Sequence, residues 1–336
     1  MLRTILNSCE IQFAFFNTSP MLVKDGRYDY NDPRAGDQAP SAIFNCHDSV
    51  VDMYRLVREH QFQQLHVFIP GSTLRGVFRS HMERIARSFS PADPIVCNPF
   101  VTGEEASTGK AGASEAGCSS LKKDYAGSCP VCRMFGSTTH RGRISFQDAD
   151  PADRGHIVET EQISIDRFTG SVGKGPFKYV LVQGAKFKAK IIIRNFEMWQ
   201  LGLLGYVFKD LEAGNLQIGM GRNLNRGRVE CKPEDVSIRV TYYGLPSTIP
   251  HGGALRGLYE MAGPQREAYK LVGKPERTEL SGLLTPHEPD PAELAHTFNA
   301  VETKAFWRAV TPLWNEAAVQ PDIFPGRAVP APVGGD

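Results

Sequence analysis

Residues 3–16, RTILNSCEIQFAFF, carry β-forming side chains at loosely alternating apolar positions and predict an opening strand. The next run, SPMLVKDGRYDYNDPRAGDQAPSAIFNCHDS, is crowded with Asp, Gly, Pro and Asn, and reads as a long surface excursion holding at most a small hairpin. LHVFIPGSTLRGVFRSHMERIARSF then passes from a short apolar strand through Pro70 and Gly71 into a helix, with Ser72 as the expected N-cap. Leu74, Val77, Phe78, Ile85 and Phe89 recur near helical spacing and mark its core face, while Arg75 and Arg79 lie one turn apart on another.

Residues 90–140 are rich in Gly, Ser, Ala and Cys without periodicity, which predicts an insertion lacking a core of its own. GRISFQDA reads as a strand, and residues 155–178 as a protruding hairpin with a Gly-rich tip, IDRFTGSVGKGPF. YVLVQGAKFKAKIIIRNF alternates as a strand pair, EMWQLGLLGYVFKDLEAG is an amphipathic helix ending at Gly214, and IGMGRNLNRGRVECK is strand-like. Strand, helix, strand, repeated once, is the split βαβ order of a ferredoxin-like, RRM-like α+β fold. The division expected is a core over residues 1–244 interrupted by a loop at 17–68, the insertion at 90–140 and the hairpin at 155–178. Residues 245–336, with short helical stretches and a Pro-rich end, read as an accessory extension.

Hydrophobic residues make up 41% of the 336 positions and charged residues 22%, so there is material for a sizeable core and global disorder is excluded. The 38 Lys and Arg against 37 Asp and Glu leave a net charge of +1, so affinity for a polyanion must come from local patches. The first residues lack a charged region followed by an apolar run and a cleavage site, and no segment is apolar for about 20 residues. A soluble, cytoplasmic chain with no membrane partner is expected.

Four of the seven cysteines, Cys97, Cys118, Cys129 and Cys132, fall in the apolar-poor insertion, the last two as a CxxC knuckle. In a reducing compartment this is the inventory of a closed tetrahedral zinc site, structural because four protein ligands leave no position open for chemistry. His140 is an alternative fourth ligand, and four unrelated thiols are the plainer alternative. IPGSTLRG sets a tight turn at a helix N-terminus, where free N–H groups, the hydroxyls of Ser72 and Thr73 and the cations Arg75 and Arg79 suit a phosphate; alone, it equally fits a capped helix with a solvated basic face. In GMGRNLNRGRV the donors Arg222, Asn223, Arg226 and Arg228 suit phosphates or ribose hydroxyls, and a polar hairpin turn is the plainer reading. Arg167, Phe168 and Lys174 surround the hairpin tip and can stack on a base while holding phosphates.

IPGSTLRG, CRMFGS before GRISFQDA, IDRFTG and GMGRNLNRGRVE together resemble, in order and spacing, the signatures of the RAMP superfamily of CRISPR-associated proteins. The likeness runs from about residue 3 to 240 and is greatest to the backbone subunit of type III effector complexes. That resemblance implies an RRM-like core that polymerises along a guide RNA beside other effector subunits, with a hairpin interrupting guide–target pairing at intervals. It also implies that one Asp after the first strand supports Mg²⁺-dependent cleavage of target RNA. Asp52, in VDMYRLVR, best resembles that position, and Asp48 is second; Asp25, Asp29, Asp32 and Asp37 are further loop carboxylates. The expected role is a CRISPR RNA-binding backbone subunit. The alternatives are a metal-dependent endoribonuclease, a scaffold served by a separate nuclease, and a guide-processing endoribonuclease using His47, His60, His66 or His81 as acid and base.

Overall fold

The computed structural model describes residues 4–37, 39–89, 95–102, 104–105, 108, 116–173, 175–244, 254–267, 269, 271, 279–287, 295–320 and 323–324. Strand β1 (Asn7–Asn17) turns Cys9, Ile11, Phe13 and Phe15 into the core and lies at the centre of the main sheet. On one side it pairs antiparallel with β6 (Lys186–Arg194), from Ser8 opposite Arg194 to Phe16 opposite Lys186. On the other it pairs with β9 (Val236–Tyr243), and β2 (Ile144–Phe146) lies outside β6. The order β9-β1-β6-β2, with helices on the β1-to-β2 and β6-to-β9 connections, is the ferredoxin-like arrangement. The protein is therefore α+β with a ferredoxin-like core.

Helix α2 (Gly71–Ser88) follows the shorter α1 (Val50–Arg58) and buries Leu74, Val77, Phe78, Met82 and Ala86. Its N-cap is Pro70, not Ser72, which is exposed; the Gly71 N–H is taken instead by the Asp148 carboxylate at 2.7 Å. A Cβ on Gly71 would stand 2.5 Å from the Phe146 carbonyl, so this glycine allows the helix start to press on β2. In the next helix of the core, α4 (Met198–Glu212), Trp199, Leu201, Leu203, Leu204, Val207, Phe208 and Leu211 are all buried. Gln200 reaches back to the Glu197 N–H at 3.1 Å to start it, and Gly214 at φ +70° follows its end as the left-handed residue.

The fourth core strand is β9, whereas the segment around IGMGRNLNRGRVECK forms a short hairpin of β7 (Leu216–Gln217) and β8 (Arg228–Glu230), whose β8 pairs with the end of β1 at Phe16 and Asn17. Alternation in VSIRVTYY, burying Ile238, Val240 and Tyr242, is the signal for β9 that the motif-rich segment upstream obscured. Residues 19–68 also differ from a surface excursion. Short apolar groups, Met21-Leu22-Val23 and Ala42-Ile43-Phe44, are buried and bridge to β5 (Phe177–Gln183) through Met21–Val182 and Ala42–Tyr179. The polar residues between them carry the turns.

The small strand β3 (Asp150–Asp153) joins β6 beside β2, and β5 pairs with β4 (His156–Gln162) as the expected hairpin. Short helix α3 (Pro130–Phe135) carries the CxxC segment. Beyond β9, the two-residue strands β10 (Leu255–Arg256) and β11 (Glu279–Leu280) pair with each other, flanking the short helix α5 (Leu258–Ala262). Strands β12 (Leu284–Pro286) and β13 (Ala295–Ala300) then add to the β9 edge of the main sheet. Helix α6 (Thr303–Ala318) crosses α4 at Gly202, where a Cβ would come 2.7 Å from the Trp314 nitrogen and the Val310 carbonyl. Trp314 shares the same buried core as Trp199, 6.1 Å away. No helix of the described residues is long and apolar enough to cross a membrane.

Candidate metal centre and nucleic-acid interface

The four cysteines of the insertion converge. Their sulfurs all lie within 4.8 Å of one another, every one buried, with Cys97 3.7 Å from Cys132 and 3.6 Å from Cys129. Those separations are far beyond a disulfide bond. Tetrahedral bonds of about 2.3 Å to one metal ion would set the sulfurs about 3.8 Å apart, so the set fits a tetrathiolate site. The CxxC knuckle opens α3, where the Cys132 N–H points to Cys129 Sγ at 3.4 Å and the Cys129 N–H to Cys118 Sγ at 3.2 Å. Donation from Cys129, then Cys132 and Cys97, pushes the Cys118 thiol far below its usual range, while bonding to Cys118 pushes Cys132 far up. Burying four thiolates this close together would require a cation among them. His140 is not part of the group; its ring nitrogen meets the Cys132 carbonyl at 3.0 Å.

The predicted RNA contacts separate into three places. Arg75 and Arg79 face the cysteine segment: Arg75 donates to the Phe135 carbonyl and lies 5.5 Å over its ring, and Arg79 reaches Cys132 Sγ at 3.4 Å and Glu83 at 3.1 Å. Thr73 is half-buried beside the exposed Ser72 at the helix start. Arg222, Asn223 and Arg228 are exposed on the β7–β8 turn, where Arg228 holds Asn225 at 2.6 Å and Arg222 the Gly219 carbonyl at 3.3 Å. Arg226 is buried, its guanidinium 5.1 Å over the Tyr179 ring. Gly219 and Gly227 have positive φ, and a Cβ would meet the Leu22 and Ile218 carbonyls at 2.1 and 2.0 Å, so these glycines pack the turn against the protein.

Arg167 and Phe168 stand at the hairpin tip, and Phe168 is fully exposed at 101%. The tip is nonetheless braced, because Asp166 Oδ1 accepts from the backbone N–H groups of Phe168 at 2.9 Å and Thr169 at 2.8 Å. Those bonds, Thr169's first, hold the Asp166 carboxyl below its ordinary range. Ile163, Ile165 and Val172 are exposed below it, and Lys174 lies outside the described residues.

Asp52 is not in a loop. It sits in the first turn of α1, where Ser49 Oγ caps its N–H at 3.1 Å and donates to its carboxylate at 2.7 Å. Asp48 accepts from the His66 backbone N–H at 2.8 Å and meets the His66 ring at 2.7 Å. Burial opposes its ionisation, but the His66 contacts outweigh burial and lower the pKa. His47 and His66 face each other across the Cys46–Val67 bridge, each with a carboxylate, Asp150 at 3.1 Å for His47. His81 is buried between Asp210 at 2.6 Å and Arg84 at 2.9 Å, and His60 is exposed at the end of α1.

The sequence profile of the RAMP superfamily matches residues 18–230, more than half of the chain. The chain belongs to the RAMP superfamily. Membership makes it a CRISPR-associated RNA-binding protein of a kind that works in multi-subunit complexes. No curated protein sequence matches it. The RAMP match takes in α1, α2, the four cysteines, the hairpin, α4 and the β7–β8 turn, whereas β1 and β9 lie outside it and complete the RAMP sheet.

That sheet also presents a row of exposed cations that motif reading overlooked, with the carboxylates of Asp150 opposite Lys188 and of Glu10 opposite Arg239. Lys188, Arg194 and Arg239 are exposed on the face turned away from the core, with Lys190 half-buried among them, 3.4 Å from Glu10. Its signal is the period-two spacing of cations in KFKAKIIIR, opposite to the phase of Phe187, Ala189, Ile191 and Ile193.

Proposed function

We propose that this RAMP protein is the guide-RNA-binding backbone subunit of a type III-like CRISPR interference complex, polymerising along the guide and positioning complementary target RNA. The observation that carries this reading is the hairpin tip: a fully exposed aromatic ring on a turn braced by Asp166, a poor arrangement for packing and a good one for stacking on a base. The exposed cations of the sheet face and of the β7–β8 turn supply sequence-independent contacts to phosphates. The four-thiol cluster serves as a structural zinc site fastening the insertion. Partners are the guide RNA, target RNA, further copies of the chain and other effector subunits. Guides of unrelated sequence should bind with similar affinity, and log affinity should fall linearly with log salt at about 0.7 per phosphate contacted. Affinity confined to one sequence would contradict the reading.

A second reading, Mg²⁺-dependent cleavage of the target, is favoured by one observation: the Asp52 side chain is 55% exposed, whereas Asp48 is 8% exposed and taken up by His66. Assembled complex is incubated with labelled complementary RNA and Mg²⁺, as wild type, Asp52→Ala and Asp48→Ala. Loss of cutting in Asp52→Ala with binding unchanged supports cleavage by this chain. Cutting that survives both substitutions excludes these carboxylates, and an intact target with wild type leaves cutting to a partner nuclease.

A further inference from the structure

Four side chains of α2, Arg75, Arg79, Glu83 and Arg87, follow one another at intervals of four residues and so form one continuous stripe along the helix. Isolated from its surroundings, such a stripe is a phosphate-binding ladder. In the folded chain it faces the cysteine insertion along its whole length. Arg75 donates to the Phe135 carbonyl, Arg79 Nη2 points to Cys132 Sγ at 3.4 Å, and Arg87 Nη2 donates to the Cys97 carbonyl at 3.1 Å. Glu83 lies between the last two, 3.1 Å from Arg79 and 3.8 Å from Arg87, and fixes both guanidinium groups. The stripe therefore touches two of the three pieces of sequence that bring in thiols, one through Cys97 and one through the knuckle helix α3.

The charges explain the arrangement. Four thiolates around one divalent cation carry a net charge of about −2, which is costly to bury without nearby positive groups. A guanidinium hydrogen-bonded to a ligand sulfur both offsets that charge and fixes where the sulfur points. Facing four protonated thiols, the same Arg79 would be a largely desolvated cation set against a neutral cluster, with Glu83 the one carboxylate beside it among the described residues.

We propose that this stripe of α2 is the outer shell of a tetrathiolate metal centre, with Arg79 as the positioning residue for Cys132, and that its role is to hold the metal rather than to grip RNA phosphates. This rests on the metal-binding reading of the four cysteines. The centre then does more than fasten a loop: its metal joins the insertion to helix α2 of the core.

The full chain is purified as wild type, Arg79→Met, Arg79→Lys and Cys132→Ser, and metal affinity is measured by competition with a chromophoric chelator. Cobalt(II) replacement reports coordination through its absorption bands. Arg79→Met is expected to weaken metal binding about 10- to 100-fold while keeping tetrahedral cobalt bands. Arg79→Lys should recover part of that loss, and Cys132→Ser should alter the bands themselves. Guide affinity of metal-loaded Arg79→Met is expected to stay within about twofold of wild type. Metal affinity unchanged in Arg79→Met, or equal loss in the Lys and Met variants, overturns the proposal, as does intact metal binding with weakened guide binding. Wild type that binds neither zinc nor cobalt would instead refute the metal-binding reading beneath it.

Discussion

Truncating Phe168 to alanine separates recognition from folding unusually well. The ring is 101% exposed, so its removal deletes no buried contact, and the Asp166 bonds that shape the turn go to backbone N–H groups that the truncated side chain leaves in place. Stability should change by no more than about 0.5 kcal/mol, within the usual range for a surface substitution. A base stacked on an aromatic side chain is worth about 1–3 kcal/mol, and about 1.4 kcal/mol is tenfold in affinity. Target RNA should therefore leave the assembled complex roughly 5- to 150-fold faster in Phe168→Ala. Guide affinity, carried by cations elsewhere, should stay within about twofold. The assay loads protein with a guide, adds labelled complementary RNA and follows dissociation by competition, with thermal unfolding run in parallel. Target dissociation unchanged from wild type, or guide affinity falling by the same factor as target affinity, would refute the stacking role.

Stripping the metal with a chelator, or replacing Cys129 or Cys132 by Ser, should unfold the insertion and lower the melting temperature while far-UV dichroism retains most of the sheet signal; well-folded, unchelated protein without about one zinc per chain would contradict the site. Reversing Lys188 and Arg239 to Glu, both exposed on the open sheet face, should weaken guide binding for all sequences alike and reduce the salt slope by about 1.4, as filter binding at several salt concentrations would show. Acid should also find a specific weakness. Burial raises the Asp25 pKa, but the Arg27 and Cys46 hydrogen bonds more than offset it, and the folded pKa lies below the ordinary 3.8; Asp48 is lowered likewise. Their stabilisation is therefore full above 3.8 and is lost as pH falls through the depressed values, so Asp25→Asn should be less stable than wild type at pH 7 and show a shallower loss of stability with acid.

Much of this was legible locally. Period two in β1 and β6, helical spacing in α2, and the Gly-rich tip between strand-like flanks each identify an element from neighbouring residues alone, whereas α4, expected to be amphipathic, is buried on nearly every side because α6 packs across it. The CxxC knuckle with two further thiols likewise announced its cluster before the sulfurs were seen together. What escaped depends on residues distant in sequence. Ser72 has the chemistry of an N-cap, but Asp148, 77 positions from Gly71, supplies the carboxylate. Arg75 and Arg79 share a helix face, yet nothing in their spacing says that a cysteine-bearing helix covers it. The 19–68 segment looks polar because turn residues outnumber its apolar groups, although those groups are the ones that enter the core. The C-terminal strands pair with β9 only after a long connection, so their place on the main sheet was invisible to local pattern.

The central claim, that this RAMP protein grips guide RNA through its backbone, is tested most directly by the RNA it carries. The chain is expressed together with a CRISPR array, purified at moderate salt, and its bound RNA is extracted and sequenced. Recovery of array-derived guides with different spacer sequences in proportion to their abundance is the predicted result. RNA-free protein, or enrichment of one sequence whatever the array contains, would contradict it.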